Sequence, residues 1–181
     1  LLYIKGYNAM GIFGWLSKES EEDYIDLLAK TENLIKQNDD FYGFILEGER
    51  AKLEGATHLS VPNLILGLIY LVGINVSRNP NKAANYFNRS IELGTGFAYK
   101  YLGALEGQRN NRKKSLEYLE KGVSFGDPDA MLMLGYYYAY EITLEGGQPD
   151  NKKARVLYQK AANMGHEGAK QNIAYMDEDG R

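Results

Sequence analysis

The stretch that decides the fold is residues 130–169, AMLMLGYYYAYEITLEGGQPDNKKARVLYQKAANMGHEGA. It opens on a small residue, Ala130. Leu134-Gly135 follows, then Tyr138 three residues past the Gly. A second element runs Asp150-x-x-Lys153-Ala154, then Tyr158, Gly165 and a closing Ala169. Both parts recur toward the N-terminus. Leu66-Gly67 precedes Tyr70, and Leu102-Gly103 has Glu106 at the tyrosine place. Asn79-x-x-Lys82-Ala83 and Asn111-x-x-Lys114-Ser115 lead to Phe87 and Leu119, then to Gly94 and Gly126, then to Ala98 and Ala130.

The spacings make this a repeat rather than a coincidence. Lys82 to Leu102, Lys114 to Leu134 and Lys153 to Ile173 are each 20 residues, and each closing Gly lies 8 residues before the next Leu or Ile. Only the joint from Leu to Lys varies: 16, 12 and 19 residues. A constant block with one elastic joint means two helices packed the same way each time, with one variable loop. The prolines agree. Asn79-Pro80 and Asp127-Pro128 each give an N-cap followed by Pro at the first helical position, where its missing N–H costs nothing. Pro62 opens a helix over 62–72, and Pro149 precedes Asp150, another N-cap. Gly94, Gly126 and Gly165 end helices. Gly67, Gly103 and Gly135 lie inside first helices, where each costs about 1 kcal/mol as a helix former. They imply an approach too close for a side chain, with Ala161-Ala162 of the second helix as the facing surface.

The pattern A-x-x-x-L-G-x-x-Y … D-x-x-K-A-x-x-x-Y-x-x-A-A-x-x-G resembles the Sel-one-like repeat, a relative of the tetratricopeptide repeat. Residues 130–169 match nearly every position, and the two preceding units match most. The departures are Pro62, Glu106, Ser115 and Gly122-Val123. The resemblance implies an all-α fold, an α/α solenoid of about four to five antiparallel helix pairs stacked into a right-handed superhelix. The expected organisation is one repeat domain over 1–181. It has diverged helices over 1–61, repeats over 62–97, 98–129 and 130–168, and a capping helix and tail over 169–181. Within the first part, residues 1–16 read as a short leading helix, and 21–37 and 41–53 as an amphipathic, diverged pair.

Composition narrows the function. Lys plus Arg number 21 against 24 Asp plus Glu, a net charge of -3, without the basic excess of a nucleic-acid binder. There is no Cys and there are two His, His58 and His166, which removes thiolate chemistry and argues against a protein metal site; no cofactor is expected. The apolar run 64–74 is too short to span a membrane. No Walker loop, G-x-S-x-G elbow or H-E-x-x-H motif is present. His166 reads as a turn residue and His58 as a structural one. Gly94-Thr95-Gly96 reads as a helix–helix turn, Glu21-Glu22 as a solvated helix start, and the basic run 109–114 as a solvated loop.

By the resemblance, partners bind the concave face lined by the first helices. The positions facing it are Leu132, Tyr136, Ala139 and Tyr140 in the best-matching unit, and Lys100, Ala104, Gly107 and Gln108 in the one before. They are Leu64, Leu68, Leu71 and Val72 in the first unit, and Gln171, Tyr175 and Glu178 in the last helix. The partner-binding set is therefore Tyr136, Tyr140, Leu132, Lys100, Gln108, Gln171 and Tyr175. Tyr136 and Tyr140 stand out because neither belongs to the repeat signature. The helix 62–72 is apolar on nearly every side and is expected to lie buried beneath the N-terminal helices.

The function that the resemblance implies is a non-catalytic protein–protein interaction module, with a toxin, effector or envelope protein as partner. In its sharper form the module inhibits a secreted bacterial toxin such as a lipase, as an immunity protein. The alternatives are an adaptor or scaffold in envelope assembly or signalling, and a trimmed piece of a longer solenoid. A hydrolase has no residue pair in its support. The resemblance and the non-Met start together point to the bacterial periplasm or envelope.

Overall fold

The computed structural model describes residues 20–37, 43–140 and 148–180. The leading helix expected over 1–16, residues 41–42 of the expected helix 41–53 and the long joint at 141–147 lie outside them. The described residues are helical and turn-forming throughout, without a strand. After a 3-10 turn at Glu21–Tyr24 come α1 (Ile25–Gln37), α2 (Gly43–Gly55), α3 (Ser60–Val72), α4 (Pro80–Glu92), α5 (Tyr99–Gln108), α6 (Arg112–Ser124), α7 (Pro128–Tyr140), α8 (Asn151–Asn163) and α9 (Glu167–Glu178). None of these helices is long and apolar enough to cross a membrane. The chain divides into two compact units, residues 1–94 and 95–181, and the division falls in the turn after a closing glycine.

Helices start where the sequence supplies caps. The side chains of Asn79 and Asp150 each accept a hydrogen bond from the N–H three residues on, at Lys82 and Lys153, both at 2.9 Å. Pro80 and Pro128 occupy the first helical positions, whereas Pro62 stands two residues inside α3. Gly126 (φ 79°) and Gly165 (φ 89°) take the left-handed turn at helix ends, which a Cβ would disfavour. One backbone bond repeats in every motif-bearing pair. The N-cap N–H of the second helix donates to the carbonyl at the tyrosine place: Asn79 to Tyr70 at 2.8 Å, Asn111 to Glu106 at 2.8 Å, Asp150 to Tyr138 at 2.7 Å.

In the first unit α3 is the core. Every residue from Ser60 to Tyr70 is buried, with α1, α2 and α4 packed around it. The buried N–H groups of its first turn are not left to solvent. The carboxylate of Glu21 accepts from Ser60 N at 2.6 Å and from Val61 N at 2.9 Å. The expectation of a solvated Glu21 is thus corrected: Leu59, at the N-cap, has no side chain able to cap, so an acid from elsewhere in the chain takes the role. Leu64 and Leu68 are buried, so they do not line a contact face.

In the second unit α5/α6 and α7/α8 pack as pairs and α9 closes the row against α8. The core gathers Leu119, Met131, Leu134, Tyr158, Ala161, Ala169 and Met176. The first-helix glycines have a reason that differs from the expected one. A Cβ on Gly103 would come within 2.9 Å of Leu119, and one on Gly135 within 2.5 Å of Tyr158. In the first unit Gly67 would meet Phe87 at 2.3 Å. The facing residue is the large one at the recurring second-helix position, not Ala161-Ala162. Small residues serve the next contact instead: Gly122 leaves room for Ala130 of the following helix.

Candidate functional site

The second unit presents three first helices, α5, α7 and α9. On α7 the i and i+4 spacing of Tyr136 and Tyr140 places both rings on one face. Their centroids are 4.6 Å apart with planes inclined by 40°, and the residues are 52% and 43% exposed. Such a pair is large, partly rigidified by its own contact, and tipped by two hydroxyls. Tyr175 on α9, at the register of Tyr136, is 61% exposed. Gln108 on α5 and Gln171 on α9 are exposed as well. The second tyrosine of the run, Tyr137, turns the other way. Its hydroxyl lies 3.0 Å from Ser115 Oγ, which donates to Gly103 O at 2.8 Å. The departure from alanine at Ser115 is thereby accounted for: it is a buried polar bridge.

Lys100 and Leu132 do not share that exposure. Leu132 is half-buried, near the first turn of α9 at Gly168. Lys100 is buried, with its ammonium 2.5 Å from Asp129 Oδ2 and 3.7 Å from Asp127 Oδ2. Asp129 in turn holds His166 Nε2 at 2.9 Å through its Oδ1. His166 Nδ1 accepts from Ala169 N at 3.3 Å and caps α9. An accepting Nδ1 leaves Nε2 to carry a ring proton toward Asp129. One ionic chain therefore ties the starts of α5, α7 and α9 and sets these helices side by side. Sequence reading missed it. Its signal was two acids at the start of α7, Asp127 and Asp129, and a histidine at the start of α9, but nothing local to α5 marks Lys100 as their partner.

The two aspartates respond oppositely. Burial pushes Asp127 up to about 6, against the pull of Lys100 and the N–H groups it caps. Burial also works on Asp129, but Lys100 and His166 outweigh it and hold that carboxyl below the usual range. Among the described residues no group of three His, Asp or Glu is arranged to hold a metal ion.

Both signature motifs meet in the structure. The Lys82 ammonium lies 3.9 Å from the Tyr70 ring centroid and donates to its hydroxyl at 2.6 Å; the Lys153 ammonium lies 5.2 Å from the Tyr138 centroid. In the middle pair Glu106 replaces the tyrosine and accepts instead from Arg109 at 2.7 Å and Asn111 at 2.8 Å. The basic run 109–114 so begins with an internal contact, while Arg112, Lys113 and Lys114 are exposed.

Comparison with known proteins bears on these features together. The family model described as Sel1 repeat matches residues 64–95, 96–124 and 128–166, more than half of the chain. Among solved structures, a Sel1 repeat protein from Oxalobacter formigenes is similar with a TM-score of 0.64 and 20% identity, over 86% of this chain and 71% of that one. A second is c5321, a protective antigen present in uropathogenic Escherichia coli strains displaying an SLR fold. Its TM-score is 0.61 at 20% identity, over 86% of this chain and 37% of that one. No curated protein matches the chain in sequence. The structural likeness places the fold among helix-pair repeat proteins.

Proposed function

Because the chain belongs to the Sel1 repeat family, whose repeats build protein-interaction modules, we propose that it is a non-catalytic module that grips a partner protein with the first-helix face of its second unit. The observation that carries this reading is the exposed Tyr136/Tyr140 pair, whose rings are in tilted contact. Tyrosine brings large contact area with few rotatable bonds and a hydroxyl for the rim, the profile of a binding hot spot. Tyr175, Gln108 and Gln171 extend the face. Lys100 and Leu132 support it from behind, the first by ion pairing and the second by packing.

Two classes of partner suit such a face. One is a secreted toxin, such as a lipase, that the chain holds inactive as an immunity protein. The other is an envelope or signalling protein for which the chain is an adaptor. Affinity capture from the source cells, with the Tyr136→Ala/Tyr140→Ala variant as control bait, tests the site and separates the classes by the partner's identity. A stoichiometric partner is expected, with the variant weaker by about 2 kcal/mol or more, roughly thirtyfold. A partner held equally by both baits would overturn the assignment.

A further inference from the structure

The first unit holds a recess of about 550 Å³, within the usual size of ligand pockets, that the repeat motif does not require. One wall is a stripe of α4, where Lys82, Asn85, Tyr86 and Arg89 share a face by their i, i+3, i+4, i+7 spacing. The rest of the lining is Thr57 and His58, in the turn after α2, and Asn63 of α3. Three of these side chains carry or accept a positive charge, and none of the described lining residues is acidic. In a chain of net charge -3 this is a local inversion.

The donors are not consumed internally. The Tyr70 hydroxyl takes one N–H of the Lys82 ammonium and, with that bond, raises its pKa, so the charge is held at any physiological pH. Glu54 acts on Lys82 electrostatically but does not line the recess. Among the described residues Arg89 pairs only with Glu92, three residues on, in an exposed contact of little strength. The amide of Asn63 is fixed by two bonds from its Nδ2, to Thr57 O at 2.9 Å and Leu59 O at 2.6 Å. Its buried Oδ1 is left without a donor.

We infer that this recess binds an acidic peptide segment. Carboxylates answer His58, Lys82 and Arg89, and Asn85 can give a hydrogen bond to the peptide backbone and take one from it. Lys82 and Arg89 are two helical turns, about 10 Å, apart along α4, so a chain with spaced carboxylates can answer both where one bare anion answers one. The site is on the first unit and stands apart from the tyrosine face in its residues and its chemistry.

The test is a titration of the isotope-labelled full chain, read by amide resonances, with an acetylated hexapeptide of alternating Glu and Gly. The same peptide with Lys for Glu, and inorganic phosphate, are the other two probes. The Glu peptide is expected to shift residues 57–58, 63 and 82–89. Arg89→Gln, at an exposed position, should weaken it at least fivefold, and His58→Gln/Arg89→Gln at least tenfold. Tyr136→Ala/Tyr140→Ala should leave it unchanged, which keeps this site distinguishable from the tyrosine face. No shifts at these residues, equal binding of the Lys peptide, or full affinity in the folded double variant would overturn the inference. Phosphate bound as tightly as the Glu peptide would overturn its peptide part.

Discussion

Gly67, Gly103 and Gly135 lie under Phe87, Leu119 and Tyr158, and this one relation keeps the two helices of each pair in the same register. Replacing Gly135 by Ala tests it. The new Cβ would improve helix propensity by about 1 kcal/mol but would drive into a fully buried ring, and overpacking of that kind costs about 1–3 kcal/mol. A net loss of about 1 kcal/mol or more in denaturant unfolding is expected; a gain would show that the ring moves aside freely. The glycines and the large second-helix residues were both legible as recurring positions. Their pairing was not, because the variable joint between them hides the offset.

At the same scale, Asp127 couples stability to pH. Its folded pKa of about 6 lies above the ordinary 3.8, so the native state binds the extra proton in that window. This contribution to stability therefore falls as pH rises from about 4 to about 6, and the cost of the buried carboxylate is complete above that. Asp129 has the opposite sign, since its depressed pKa contributes stability that is lost as pH falls through it. Asp127→Asn keeps a cap for α7 and removes the ionisation. The variant should be more stable than the parent at pH 7.5, by on the order of 2 kcal/mol, with the difference closing toward pH 4. Melting curves across that range decide it; a variant less stable at pH 7.5 would mean that the Lys100 pairing outweighs burial.

At the scale of elements, caps and burial explain what the repeat pattern could not. The buried course of α3 was readable from residues 62–72, because an all-round apolar helix has to be covered. Its cap was not readable, since Glu21 and Ser60 are 39 positions apart and only folding brings them together. Glu21→Gln keeps the shape but removes the charge facing two buried N–H groups at the positive end of the helix. A loss of about 1–2 kcal/mol in chemical unfolding is expected, largely restored by Glu21→Asp only if the shorter acid still reaches. A silent Glu21→Gln would place the cap's worth in geometry alone. The middle pair shows how far the motif bends: Glu106 abandons the tyrosine–lysine contact, yet the Asn111 N–H still reaches its carbonyl.

At the scale of the molecule, the repeat registers were legible from spacing because a constant block leaves a constant period. Tyr136, Tyr140 and Tyr175, which the same period puts on the proposed contact face, are exposed. The burial of Lys100 was not legible, since it depends on acids at the start of α7. The proposed function has partners meet the first-helix face rather than the second-helix face, where Val156 is exposed on α8. The most direct measurement places a photo-crosslinking phenylalanine at Tyr136 in one sample and at Val156 in another, within cells that hold the natural partner. One defined adduct is expected from position 136 and none from 156. An adduct from position 156 alone would contradict the proposed function.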